Sequence, residues 1–231
     1  MHIINLILIT SMLIIIPLDA SAHKLISHDE SHTELKNALD IPNHKTSWAI
    51  YEDLKHNQVK YYKFTAKQGD SFYSSIVIPK ISALSDYAPT LVIIGDGIDR
   101  SDIVPFEVSP ELGTWVFSYQ GQFPSKEFYE PFGQVTYWER QEVKITIPKD
   151  GTYYIAVYDQ QSNGKYSLAV GTVEDFTFVD FFTLLPKSWF DTKIFLEDYL
   201  SITIGLIFLI GIPVGIGYGI TKRKLNLFHK H

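Results

Sequence analysis

From residue 48 to residue 171 the apolar and polar positions alternate in short runs, each bounded by turn residues. Runs at 48–51, 58–66, 71–78, 90–95, 104–108, 114–118 and 136–147 are rich in aromatic and β-branched residues. Period-two alternation of this kind predicts strands with one face buried. Gln68-Gly69-Asp70, Gly95-Asp96-Gly97 and Pro131-Phe132-Gly133 supply turn chemistry between them. The pattern is clearest at 148–174. There Tyr153, Ile155 and Val157 alternate with Thr152, Tyr154, Ala156 and Tyr158, and after the turn residues 159–164 Tyr166, Leu168 and Val170 take up one face again. This stretch predicts a β-hairpin closed by Asn163-Gly164. With Val143, Ile145 and Ile147 before it, the hairpin becomes the end of a three-stranded antiparallel meander. About eight short strands and no helix-period stretch predict an antiparallel, jelly-roll-like β-sandwich over 48–173. Its interior candidates are Trp48, Tyr62, Phe64, Phe72, Ile76, Leu91, Ile93, Val143, Ile145, Tyr153, Ile155, Val157, Tyr166 and Leu168.

The two ends of the chain have a different pattern. Residues 3–18 are an apolar and hydroxyl run, followed by Asp19-Ala20-Ser21-Ala22. Residues 1–22 therefore read as a secretory signal cleaved after Ala22, with a retained N-terminal anchor as the alternative. Residues 199–220 carry no charge. At 1.5 Å per residue they reach about 33 Å, enough to cross a hydrocarbon core of about 30 Å. Glu197 and Asp198 precede this stretch and Lys222-Arg223-Lys224 follow it. The positive-inside rule then puts the β-domain outside and the tail, 221–231, in the cytoplasm of a single-pass membrane protein. Residues 174–198 are dense in Phe and Trp. They predict a short interfacial helix before Pro186 and a second approach after it, or a helix packed on the sandwich.

Charge and composition exclude several classes of function. Residues 23–198 hold 16 Lys and Arg against 25 Asp and Glu, a net of −9, which argues against nucleic acid as a partner. The chain has no cysteine, so disulfides, thiolate catalysis and Cys-based metal sites are excluded. No catalytic or nucleotide-binding fingerprint occurs. Asp96, Asp99, Asp102 and Glu107 form an acidic loop that reads as solvated. The arm 23–47 is polar, with a short helix expected within 31–39, and carries His23, His28, His32 and His44. His23 would be the mature N-terminus. Its amine and ring, with His28 and His32 near in sequence, form a candidate copper site, since imidazole suits that ion. The alternative is a solvated arm with surface histidines. Gly211, Gly215 and Gly219 recur at helical spacing in the apolar stretch, a small-residue face suited to a partner helix or a second copy, with Pro213 between them.

Lys60-Tyr61-Tyr62-Lys63-Phe64 with Gly69-Asp70, and Asp150-Gly151-Thr152-Tyr153-Tyr154 through Gly164-Lys165-Tyr166-Ser167-Leu168, resemble the strand motifs of pre-peptidase C-terminal domains. The resemblance covers 58–170. It implies a jelly-roll-type sandwich that binds or spaces rather than catalyses. Ala88-Pro89-Thr90-Leu91 stands where many members have Asp, which leaves a calcium role without its ligands. The whole layout is similar to archaeal membrane-anchored surface proteins. The expected function is a membrane-displayed binding module for a protein partner, envelope material or a membrane complex. Copper handling through His23 and a secreted-side enzyme are the alternatives.

Overall fold

The computed structural model describes residues 23–99 and 103–228. The proposed signal 1–22, Asp102 of the acidic loop and the last three residues of the tail lie outside the described residues. Among the described residues, eleven strands form two sheets. One sheet has six strands in the order β1 (Lys24–Leu25), β3 (Trp48–Leu54), β11 (Gly164–Val170), β5 (Ser71–Pro79), β9 (Val135–Thr146) and β8 (Glu127–Glu130). The other has five, β2 (Leu39–Asp40), β4 (Val59–Ala66), β10 (Gly151–Tyr158), β6 (Thr90–Gly95) and β7 (Gly113–Phe117). Their inner faces meet as a β-sandwich. Phe64 of β4 stacks on Phe72 of β5, with ring centroids 4.5 Å apart and planes 5° from parallel. Of the interior candidates, Trp48 and Ile145 are partly buried against the core and the rest are buried in it.

The expected hairpin is a correction. β9, β10 and β11 alternate between sheets. β10 pairs with β4 and β6, and β11 pairs with β3 and β5. Residues 159–163 therefore cross from one sheet to the other. Alternation specifies which side of a strand faces inward, and Tyr153 and Tyr166 both do. It does not specify the neighbouring strand, because a five-residue connection spans the roughly 10 Å between packed sheets as readily as it turns a hairpin. A second correction concerns 104–108, which forms no strand. Pro105 lies within it and Pro110 follows it, and a proline has no amide to donate to a ladder. Val104, Phe106 and Val108 instead cover the outer face of β4, β6 and β10, where Phe106 meets Tyr61 and Tyr158 edge-on. β8, unexpected from sequence, pairs with β9 as a hairpin.

The arm 23–47 is part of the fold, where a solvated segment was the alternative expected from its polarity. β1 pairs in parallel with β3, β2 pairs in parallel with β4, and Tyr61 N donates to His32 O at 2.9 Å. The arm thus bridges the open edge between the sheets and covers two edge strands that would otherwise be free to pair with other chains. Both sheets become mixed rather than antiparallel. The helix expected within 31–39 is a single 3-10 turn, Leu35–Asn37.

After the sandwich, α1 (Asp180–Phe195) runs unbroken through Pro186 as one helix. α2 (Tyr199–Phe228) follows after three residues. Its segment Tyr199–Lys222 is 24 residues long, apolar enough to cross a membrane, and none of it is buried.

Candidate functional site

The inward positions of β3 are Trp48, Ile50, Glu52 and Leu54, and those of β4 are Lys60, Tyr62, Phe64 and Ala66. Two charged groups therefore occupy core positions, and both are 0% exposed. His32 Nε2 lies 2.6 Å from Glu52 Oε1, and Tyr62 donates its hydroxyl to the same oxygen at 2.9 Å. Tyr166 OH joins Tyr62 OH at 2.8 Å. Lys60 Nζ faces Glu52 Oε2 at 3.1 Å, and it also pairs with Glu30. His28 Nε2 stands 3.0 Å from Tyr51 O and 3.3 Å from Glu52 Oε1. Burial pushes the Glu52 carboxyl up, but the hydrogen bond and charge of His32, with His28 and Lys60 behind it, outweigh burial and hold it below the usual carboxylate range. Burial and the neighbouring Glu52 push both tyrosine hydroxyls well up.

Of the three histidines grouped by sequence, the structure brings His28 and His32 together and adds Glu52. Their donor atoms all lie within 4.8 Å of one another. His23 is elsewhere, at the start of β1, where its Nδ1 shares a 2.6 Å hydrogen bond with Ser47 Oγ. The cluster has the spacing of a hydrogen-bonded network. His32 Nε2 and Glu52 Oε1 are at hydrogen-bond distance, 2.6 Å. Lys60 already supplies the cation that Glu52 requires. Of the acidic loop, Asp96 is ion-paired with Lys149 at 2.5 Å.

The buried arm makes stability depend on pH. Burial holds the His44 imidazole below its ordinary value, against a hydrogen bond to Thr65 O and the charge of Asp70. A depressed folded value means the contribution is complete above the unfolded value, about 6.5 for His, and is lost as pH falls through the folded value. Glu52 behaves likewise below about 4.3. The melting temperature is expected to stay level from pH 8 to 7, to decline below about 6.5, and to decline again below about 4. Burial lowers the His23 imidazole too, so the His44→Gln variant should lose only part of the first decline and a His23→Gln, His44→Gln double variant more of it. A curve flat to pH 4 would refute the assignment.

The open site is on the other side of β3. Register across the outer face of the six-stranded sheet gives two rows, Ala49–Ala169–Ser75–Glu142 and Tyr51–Ser167–Val77–Glu139. Small residues at the middle of each row leave a hollow where side chains would otherwise stand. Tyr51, Tyr73 and Tyr137 rise around it, Phe128 and Phe132 come from the β8–β9 hairpin, and Ser188 and Thr192 of α1 close one side. The trough holds about 440 Å³. Thr192 Oγ1 and Tyr51 OH are 2.9 Å apart, and Tyr51 stacks on Phe195 at 4.7 Å, so α1 is fixed to the sheet.

Charges along the trough already have partners. Lys126 meets Glu139 at 3.4 Å and Lys144 meets Glu142 at 2.7 Å. Glu130 accepts from Phe132 N and Gly133 N at 2.8 and 2.6 Å, although burial raises its pKa. Arg140 donates to Tyr87 O and Ser85 O at 2.9 and 2.7 Å and lies beside the rings of Phe123 and Tyr119. By contrast Ser188 Oγ and Gln141 Oε1, both on trough-lining residues, are buried without a hydrogen-bond partner. Sequence reasoning missed the trough because its floor is assembled from small outward residues of three strands distant in the chain. The signal present was the run of Ser and Ala at the polar phase of the alternation.

No family model matches the chain, and no curated protein matches it. Among solved structures it is similar to Salmonella Typhimurium PliG, a periplasmic lysozyme inhibitor of g-type lysozyme. Identity is 14%, the match covers 64% of this chain and 94% of that one, and the TM-score is 0.31. It is also similar to the pre-peptidase C-terminal domain of a Bacillus anthracis collagenase, with 16% identity, 57% and 91% coverage, and a TM-score of 0.30. Similarities this low carry nothing about activity or ligand. The resemblance to archaeal surface proteins finds no support among these comparisons.

Proposed function

We propose that this chain is a single-pass membrane protein that holds its β-sandwich outside the cytoplasm and binds a ligand in the trough. The observation that carries the reading is the trough itself. Pockets of a few hundred Å³ with aromatic walls and a few convergent polar groups are the usual form of small-ligand sites. The membrane part rests on α2 and on the acid-before, base-after charge pattern at its ends. Since the charges are paired internally, the trough suits a neutral ligand with hydrogen-bonding groups and apolar faces, such as a segment of envelope glycan. Binding rather than catalysis is the reading because those paired carboxylates are not free to act as acid and base. Gly215 and Gly219 of α2 have no neighbour within 4 Å of an added Cβ, so that face is open to a second helix.

The test is a photo-crosslinking benzophenone residue placed at Tyr73 in the trough and, separately, at Lys63 on the opposite sheet, in the full chain in its native envelope. An adduct is expected at Tyr73 and not at Lys63, and its mass reports whether the ligand is saccharide, lipid or protein. Equal yields at the two sites, or none at Tyr73, would remove the trough from the function.

A further inference from the structure

The two ends of α1 differ. Towards its C-terminus Ser188, Thr192 and Lys193 are buried against the sandwich, and Lys193 Nζ reaches Asp198 at 3.1 Å. At its N-terminus, where Lys24 anchors Asp180 at 3.2 Å, Phe182 is 69% exposed with Phe181 beside it, and Phe178, 79% exposed, and Val179 stand just ahead of the helix. Phe178 and Phe182 pack on each other at 5.2 Å. So much uncovered aromatic surface at one end of a fixed helix calls for a partner.

The position of α1 against α2 identifies that partner. A Cβ on Gly205 would stand 3.2 Å from the Trp189 ring, so the middle of α1 rests on the second turn of α2. Gly205 is six residues, about 9 Å, inside the apolar helix. If α2 crosses a bilayer, this contact holds α1 against the membrane boundary, within about 9 Å of the level at which the apolar helix enters it. The connection of three residues gives α1 no length in which to rise away from it. We propose that the aromatic N-terminal end of α1, Phe178–Phe182, is embedded in the interfacial layer of the same bilayer that α2 crosses. The C-terminal half of α1 then packs on the sandwich while its N-terminal end meets lipid. The trough, whose wall is α1, opens at the membrane surface, and the sandwich is held there at a set height instead of swinging on a tether. The proposal rests on the crossing by α2.

The absence of cysteine permits a direct test, since one introduced thiol takes one nitroxide. Phe182→Cys, Phe208→Cys in α2 and Gln120→Cys in an exposed loop are labelled separately in the full chain and reconstituted in phosphatidylcholine vesicles containing anionic lipid. Collision with oxygen, which concentrates in lipid, is compared with collision with a water-soluble nickel chelate. The expected oxygen-to-nickel ratio at 182 is several-fold above that at 120 and below that at 208. A lipid-like ratio at 208 with a water-like ratio at 182 overturns the proposal while leaving the anchor intact. A water-like ratio at 208 overturns the crossing itself. Shielding of 182 from both reagents means that protein covers this end, which also overturns the proposal.

Discussion

Replacing Glu52 with Gln is expected to cost about 3–5 kcal/mol of folding stability, the range for removing one partner of a buried ion pair. The carboxylate has no water contact, and His32, His28, Lys60 and Tyr62 all converge on it. Without its charge, Lys60 stays fully buried with only Glu30, itself half exposed, to neutralise it. The Gln amide would also present a donor where at least one oxygen now accepts. For a chain of this size the loss corresponds to a fall in melting temperature of about 10 °C. Lys60→Met alone should also destabilise, by leaving Glu52 in a core position with less counter-charge. Glu52→Gln with Lys60→Met should cost less than the sum of the single changes, because together they leave neither buried charge without its partner. Thermal melts of the four proteins in one detergent check this. A Glu52→Gln protein that melts with the wild type, or fully additive losses, would show that the cluster does not stabilise the fold.

The elements themselves were largely legible. Strand alternation placed most of the core, because period two follows from backbone geometry and needs no tertiary information. Sheet membership was not legible, as the meander expected at 142–170 shows: Val143, Tyr153 and Tyr166 all face one interior, but from alternating sheets. The cluster was legible in principle. Extending the alternation of β3 by one step past Ile50 puts Glu52 inward, and starting β4 at Val59 puts Lys60 inward. Lys and Glu are almost never fully buried unless paired, and here each is the other's partner across strands distant in sequence, with the remaining partners coming from the arm and from Tyr62. The arm's two-residue strands are below any pattern length. His32 and His44 are buried by long-range contacts that polarity alone argues against. α1 was half visible. Its aromatic residues suggested a surface, and the structure packs its C-terminal half on the sandwich while leaving Phe178–Phe182 at its N-terminal end exposed. Pro186 did not end the helix, since the missing amide leaves only the Phe182 carbonyl unpaired, on the exposed side.

Gly171→Ala is expected to cost about 3 kcal/mol, more than Gly69→Ala or Gly151→Ala. Gly171 has φ of +72°, where a side chain costs about 1–2 kcal/mol. An added Cβ would also lie 2.2 Å from Thr46 O, 2.7 Å from His44 O and 2.8 Å from Lys45 C. These are backbone atoms, so the clash is relieved only by moving the loop that opens β3. That loop is held to the chain leaving β11 by Thr172 N and Val173 N on Lys45 O, and by Ser47 N on Val173 O. Each net hydrogen bond is worth about 1 kcal/mol, and displacement loses at least one. Gly69 separates the two causes. Its φ is +84°, but nothing lies within 4 Å of a Cβ, so Gly69→Ala should show the conformational cost alone, about 1 kcal/mol. Gly151, with an ordinary φ and open space, should tolerate Ala with almost no change. Amide exchange localises the effect: in Gly171→Ala, residues 44–47 and 172–173 should lose protection while β6 and β10 keep theirs. Equal destabilisation by Gly171→Ala and Gly69→Ala would mean that the arm loop yields freely, and that the seam between the arm and β11 contributes little to holding the sandwich closed.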